Sequence, residues 1–96
     1  MGGESTDGHR ASLQIRNKLG LHLRAARLLV DTAGKFDAEV TVAKDGQIVN
    51  GKSIMGVMML AAEKGSQIDV ETRGPQAAEA LHAIRDLVEA RFNESE

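Results

Sequence analysis

Strict alternation of apolar and polar residues predicts four short strands in this chain. Asp45-Gly46, between two such segments, is a strong signal for a tight hairpin, so the strands on either side of it should be antiparallel. In the last strand Ile68 and Val70 fall on one face and are expected to point inward. The predicted strands cover residues 11–16, 38–44, 47–50 and 66–72.

Three other segments have the apolar spacing of amphipathic helices. The first begins at Leu23 and ends at Gly34, which leaves His22 at its N-terminus. The second follows Ser53, a favourable N-cap residue, and is expected to continue to Gly65. The third follows Gly74-Pro75, where the missing N–H of proline costs nothing.

The resulting order of elements is strand, helix, strand, strand, helix, strand, helix. Each helix has one apolar face that can cover a sheet, which predicts an α+β layer architecture. This order alone does not fix how the strands lie beside one another, and a ferredoxin-like arrangement of two βαβ-like halves stays open.

Composition narrows the class of protein. The 96 residues suit one domain, and the absence of cysteine excludes disulfides and thiolate metal sites and fits a reducing compartment. The three histidines lack the spacing of a ligand set, so we expect neither metal nor cofactor. With no long apolar segment we expect a cytoplasmic protein without membrane insertion. Acidic residues outnumber basic ones by 14 to 12 and the only aromatic residues are two phenylalanines, which argues against nucleic-acid binding.

His22 is the first candidate for chemistry. The free N–H groups and positive dipole end of a helix form an anion site, so a phosphoryl group on His22 would find backbone donors nearby. Arg24 could bind the same group through its planar guanidinium. The alternative is that His22 is only an N-cap or a polar loop residue. His9, in a polar terminal segment, and His82, on a charged helix face, are expected to be surface residues without a role.

The second candidate segment begins with Ser53 and carries Met55, Met58 and Met59 on one helical face. Apolar helix faces are usually buried, so the spacing alone favours a core role for the methionines. The alternative is a pliable apolar patch that contacts partner proteins.

Two motifs together resemble a known family. GLHLRAA over 20–26, KSIMGVM over 52–58 and the element order around them resemble HPr, the phosphocarrier of the bacterial phosphoenolpyruvate-dependent sugar phosphotransferase system, over residues 11–92. The resemblance implies an open-faced β-sandwich, with a four-stranded antiparallel sheet and three helices on one face. Residues 1–10 and 93–96 would be tails, and the protein would be a monomer.

The resemblance also implies roles for individual residues. His22 would accept a phosphoryl group from enzyme I, derived from phosphoenolpyruvate, and donate it to IIA components, with Arg24 stabilising the group. The protein would thus be a carrier and not an enzyme. Ser53 matches the serine that HPr kinase/phosphorylase modifies in many bacteria. The expected partner-docking residues are Leu23, Arg27, Ile54, Met55, Met58 and Met59.

Two residues depart from the family pattern HARPA. Leu23 replaces the small alanine after the histidine, and Ala25 replaces the proline after the arginine. Alanine is an excellent helix former and can take the place of a first-turn proline, whereas Leu23 adds bulk beside His22. These departures favour, as an alternative to a sugar-uptake carrier, a regulatory HPr-like paralogue that acts mainly by protein binding, including one of a nitrogen-related branch. A second alternative, from another class, is a ferredoxin-like domain that binds a small ligand in a cleft.

Overall fold

The computed structural model of the protein describes residues 8–96, so residues 1–7 of the predicted N-terminal tail lie outside the described part of the chain. Strands and helices follow in the predicted order. They are β1 (Gly8–Gln14), α1 (Leu23–Ala33), β2 (Glu39–Lys44), β3 (Gln47–Asn50), α2 (Ile54–Met59), β4 (Gln67–Arg73) and α3 (Ala77–Glu89), followed by a single 3₁₀ turn, Arg91–Asn93.

The four strands form one antiparallel sheet in the order β1-β4-β2-β3. This order settles the strand arrangement that the sequence left open. Leu13 is opposite Ile68, and Val42 is opposite both Val70 and Val49, so the predicted inward residues share one face. β1 begins three residues before the predicted start because Gly8 to Arg10 pair with the end of β4.

All three helices cover the inward face of the sheet, so the fold is the open-faced α+β sandwich that the family resemblance implied. The buried core joins the inward valines and isoleucines of the strands to the apolar faces of the helices, including Leu29 of α1, Val57 of α2 and Ile84 of α3. The outward face of the sheet is mostly polar and uncovered. Within residues 8–96, no helix is long and apolar enough to cross a bilayer.

α2 is shorter than predicted. It ends at Met59, and Ala61 has a left-handed backbone with φ of 50°. Leu60 and Ala62 are buried, and the carbonyl of Ala62 accepts a hydrogen bond from the N–H of Leu21 at 2.8 Å. The chain after α2 thus leaves the helix to pack against the loop that precedes His22.

Gly20 is required at this loop contact. Its φ is 69°, and a Cβ there would lie 2.5 Å from the carbonyl oxygen of Ala62. Only glycine satisfies both the left-handed backbone and the close approach. The residue two positions before His22 is therefore pinned between the two loops.

A left-handed turn brings the C-terminal residues to the same end of the molecule. Arg91, Phe92 and Asn93 all have positive φ, which is unfavourable for residues with side chains. The buried Phe92 ring anchors this turn in the core. Beyond it, the carbonyl of Glu96 accepts a hydrogen bond from the N–H of Lys18 at 2.7 Å, so residues 93–96, expected to be a tail, lie beside the loop that precedes α1.

Candidate functional site

His22 is the N-cap residue of α1. Its extended backbone (φ −72°, ψ 179°) precedes the helix, and its carbonyl accepts the first intrahelical hydrogen bond, from Ala26 N–H at 2.8 Å. Its ring Nδ1 accepts a hydrogen bond from the N–H of Arg24 at 3.2 Å. The imidazole therefore presents Nδ1 to the free N–H groups of the first helical turn, where a helix binds anions.

Glu94 holds the opposite nitrogen of the same ring. Nε2 of His22 lies 2.5 Å from Oε2 of Glu94. Nδ1 accepts a hydrogen bond and therefore carries no proton, so in the neutral ring the proton is on Nε2, which donates it to Glu94. The two contacts together define both the tautomer and the orientation of the imidazole.

The side chain of Asn17 holds Glu94 in position. Its buried side-chain amide donates hydrogen bonds to Oε1 of Glu94 at 3.2 Å and to the carbonyl of Gly20 at 2.7 Å. The Asn17 side chain thus connects the pinned loop to the carboxylate, and the carboxylate connects it to the ring. Sequence reasoning identified neither Asn17 nor Glu94.

The surroundings of Glu94 favour its charged form. Burial raises the pKa of the carboxyl group, but hydrogen bonds from His22 and Asn17 and the positive charges of His22 and Arg24 outweigh burial. The net result is a pKa below the ordinary value of 4.5. A carboxylate that remains ionised through the physiological range can orient the imidazole and balance positive charge on it.

Arg24 lies at the mouth of the site. Its side chain is exposed, and among residues 8–96 its guanidinium makes no ion pair. A groove of about 550 Å³, lined by residues of α1, the preceding loop and the C-terminal segment, opens beside it. The other cation of this groove, Lys18, is ion-paired with Glu96 at 3.5 Å. The guanidinium is thus available for an anion placed on His22.

Ser53 caps α2 as predicted. Its Oγ accepts a hydrogen bond from the N–H of Gly56 at 3.1 Å, and the side chain is half-buried. The structure gives the hydroxyl this capping role at a helix terminus separate from that of His22.

The methionines of α2 are on the surface, so the core interpretation of their spacing is wrong. Met55, Met58 and Met59 are 72%, 40% and 65% exposed, because Val57, Leu60 and the half-buried Ile54 supply the contacts of this segment with the core. α2 packs beside α1. Two leucines near the start of α1 are also exposed, Leu23 in its first turn and Leu19 in the loop before it. We call these five exposed residues the apolar patch: Leu19, Leu23, Met55, Met58 and Met59.

The leucines of the apolar patch lie beside the His22 ring. A shallow depression of about 570 Å³ is lined by His22 together with Leu19, Leu23, Arg24 and Arg27. Arg27 also forms an exposed ion pair with Asp31 at 3.5 Å. Leu19 is a member of this surface that the sequence analysis did not select.

The remaining histidines are surface residues. His9 is exposed on β1 opposite Thr72, and the exposed His82 lies 3.3 Å from Asp86 one turn along α3. No group of three or more potential metal ligands occurs within the described residues.

Comparison with known proteins gives a consistent family. Residues 9–90 match the family model described as PTS HPr component phosphorylation site. The phosphocarrier protein HPr of Neisseria meningitidis serogroup A is 52% identical over 87 residues, which are 91% of this chain and 98% of that protein.

Solved structures agree with this assignment. The crystal structure of HPr-C-His from Thermoanaerobacter tengcongensis has a TM-score of 0.89 and 41% identity, covering 92% of this chain and 99% of that one. A structure described as an HPr dimer from the same organism has a TM-score of 0.74 and 44% identity, covering 85% and 94% of the two chains.

A small α+β domain that presents a histidine at a helix N-terminus is typical of histidine phosphocarriers, and the comparisons place the chain in that class. The chain belongs to the HPr family of the phosphotransferase system. This membership excludes the ferredoxin-like ligand-binding domain that the sequence left as an alternative.

Proposed function

We propose that the protein accepts a phosphoryl group from enzyme I on Nδ1 of His22 and donates it to IIA components. One observation carries the proposal: Nδ1 faces the first turn of α1, while Nε2 is engaged by Glu94. Nδ1 is thus the nitrogen that carries a lone pair. In the proposed reaction the N–H of Arg24 donates to a phosphoryl oxygen instead of to Nδ1, and the lone pair becomes available for attack.

In the transfer step, the Nδ1 lone pair attacks phosphorus as the bond to the donor breaks. Little covalent chemistry is required of the protein, so positioning and charge stabilisation dominate. The N–H groups of Leu23, Arg24 and Ala25 precede the first intrahelical hydrogen bond and are available to phosphoryl oxygens. The Arg24 guanidinium supplies the full positive charge.

Glu94 acts as a positioning residue in this proposal. While it accepts the Nε2 proton, the ring cannot rotate to present Nε2 to the donor, and the attacking nitrogen is defined. Attack by Nδ1 leaves positive charge on the imidazole, which the carboxylate balances. This role is analogous to the carboxylate that orients a histidine in other nucleophilic sites.

We propose that the apolar patch, with Ile54 and Arg27 at its edge, contacts enzyme I and the IIA components. Any protein that exchanges a phosphoryl group with His22 must approach the depression that Leu19 and Leu23 line, and the methionines of neighbouring α2 extend that surface. A glutamate placed there would be desolvated only in the complex.

Met58→Glu tests this docking surface. We expect the rate of phosphoryl transfer from enzyme I to fall at least about tenfold with a small change in Tm. Ile48→Glu is the matched control, since Ile48 is 70% exposed on the outward face of β3, away from the helices. Equal transfer by both variants would remove the patch from the interface.

Ser53 is proposed as a regulatory site for HPr kinase/phosphorylase. The motif KSIMGVM supports this, and Ser53 lies next to the methionines of the patch. The alternative is that Ser53 serves only as the N-cap residue of α2, which its hydrogen bond from the N–H of Gly56 explains without a kinase.

The central experiment is incubation with enzyme I and phosphoenolpyruvate. We expect one acid-labile, base-stable phosphoryl group per chain, because a phosphoramidate hydrolyses in acid and a serine ester does not. His22→Ala should abolish the label. Label that persists in this variant, or that never forms with a competent enzyme I, would contradict the carrier function and favour a regulatory paralogue that acts by binding alone. We propose that the protein works as a monomer, because Glu94 and the N–H of Arg24, which orient the His22 ring, come from the same chain as His22 and complete the site without a second copy.

A further inference from the structure

The methionines of the apolar patch differ from the rest of the molecule in their chemistry. Three of the four methionines in the chain lie within the six residues of α2, and all three are exposed. The buried hydrophobic core of the described residues contains valine, leucine, isoleucine, alanine and phenylalanine, and no methionine. Accessible sulfur is therefore concentrated on the surface next to the acceptor histidine.

No thiol competes with these side chains for an oxidant. The chain contains no cysteine, and a thiolate would otherwise be the first group to meet a two-electron oxidant. An exposed thioether takes up one oxygen atom and becomes a sulfoxide, which is polar and no longer packs well against an apolar surface.

We propose that Met55, Met58 and Met59 are an oxidation site through which peroxide or hypochlorite lowers phosphoryl transfer by the protein. The oxidant transfers one oxygen atom to the thioether sulfur and is itself reduced to water or chloride. Each sulfur loses two electrons and forms a sulfoxide, and thioredoxin-linked sulfoxide reductases reverse the step. The inference rests on the proposed function, since it concerns docking to the phosphoryl donor.

Exposure predicts both the order of oxidation and its consequence. Met55 and Met59, at 72% and 65% exposed, should react before Met58, at 40%. Because Val57 and Leu60 make the core contacts of this segment, sulfoxides on the methionines should leave the fold intact. The effect should be on the approach of a partner protein.

The test uses the full chain treated with hydrogen peroxide or hypochlorite. Peptide mass spectrometry should show about 16 Da added per oxidised methionine of α2. Transfer from enzyme I should fall by about tenfold or more, as expected when polar groups enter an apolar interface, while Tm changes little. Treatment with sulfoxide reductases of both stereospecificities should restore transfer.

Met55→Leu/Met58→Leu/Met59→Leu is the matched control. Leucine keeps the volume, the apolar character and the helix propensity of methionine, but it has no sulfur to oxidise. This variant retains Met1, so any effect of oxidising that residue appears in both proteins. Because these residues belong to the proposed docking surface, the transfer rate of each protein after treatment is compared with its own rate before treatment. The oxidant should lower this ratio for the native protein and leave it near one for the triple variant. If the untreated triple variant is too slow to assay, the three single leucine variants replace it, and each should lose part of the sensitivity.

Several results would overturn the inference. These are unmodified methionines after treatment, full transfer by the oxidised protein, equal inhibition of the leucine variants, or a fall in Tm that parallels the loss of transfer. Failure of the proposed function is a separate result, because the untreated protein would then accept no phosphoryl group from enzyme I.

Discussion

The two helices that begin beside the apolar patch, α1 and α2, are both capped by a side chain, but the two cap residues differ in their other contacts. His22 Nδ1 accepts from Arg24 N–H at α1, and Ser53 Oγ accepts from Gly56 N–H at α2. Ser53 has only its one hydroxyl oxygen, whereas the imidazole of His22 has a second nitrogen, which is hydrogen-bonded to Glu94. α1 also has eleven residues against six in α2. A cap alone stabilises a helix, whereas the second nitrogen of His22 is held by a carboxylate and the ring lies beside an exposed arginine, which is the arrangement that our proposal assigns to a nucleophile.

Replacing His22 by another N-cap residue should have the largest effect on phosphoryl transfer. In His22→Asn, asparagine is as good an N-cap as any residue, so α1 should remain stable. Its amide is not a nucleophile, and labelling from enzyme I should be lost completely. Circular dichroism melting curves measured beside the labelling assay test both statements. A large fall in Tm would show that the ring contacts contribute more to the fold than a cap does.

Removing the free cation from α1 should slow transfer without stopping it. Charge-assisted hydrogen bonds contribute about 1.5–3 kcal/mol, so Arg24→Ala should reduce the transfer rate by roughly 10- to 100-fold. An exposed charge adds little to stability, and Tm should hardly change. Arg85→Ala is the control, because Arg85 is an equally exposed arginine on α3. Matching rates in the two variants would remove Arg24 from the site.

At α2 the same kind of comparison should separate helix stability from docking. Ser53→Ala loses the cap, at a cost of about 1 kcal/mol, but should transfer normally. Ser53→Asp keeps a capping oxygen and places negative charge at the positive end of the helix, so its Tm should be held or raised. The new charge borders the apolar patch and should lower transfer from enzyme I. Native transfer kinetics in Ser53→Asp would leave Ser53 as a cap only.

The smallest effect should come from the charge of Glu94 and should depend on pH. Its folded-state pKa is lowered below 4.5, so its ionised form stabilises the fold above that pH and the contribution is lost as the pH falls through the lowered value. Glu94→Gln, which has no carboxyl group to titrate, should therefore be slightly less stable than the native protein near neutral pH.

The difference between the two proteins should vanish at pH values below the lowered pKa of Glu94, where its carboxyl group is protonated. Paired thermal melts across this range measure it. A constant gap down to the lowest pH would show that the carboxylate interacts with neither His22 nor Asn17 in solution.

The sequence alone predicted those features of the structure that depend on local residue patterns. His22 at a helix start, Ser53 as a cap and the four alternating strands all depend on residues within a few positions of one another. The family resemblance supplied the four-stranded antiparallel sheet with three helices on one face, and the strand order β1-β4-β2-β3 came from the structure.

Glu94 was missed because its contact with His22 joins residues 72 positions apart. That contact depends on the left-handed turn over residues 91–93, and three successive non-glycine residues give no signal for such a turn. Helix periodicity also misplaced the methionines of α2. It shows that side chains share a face, and a six-residue helix buries too few of its positions for that face to be assigned to the core.

The uncovered outward face of the sheet is a convenient site for labelling or immobilising the protein. The helices and both capped termini belong to the other layer, and the chain has no cysteine. A single cysteine at Gln14, an exposed outward position of β1, would thus be a unique attachment point for a fluorophore or a sensor surface. Immobilised in this way, every molecule would present His22 to the solution in the same orientation.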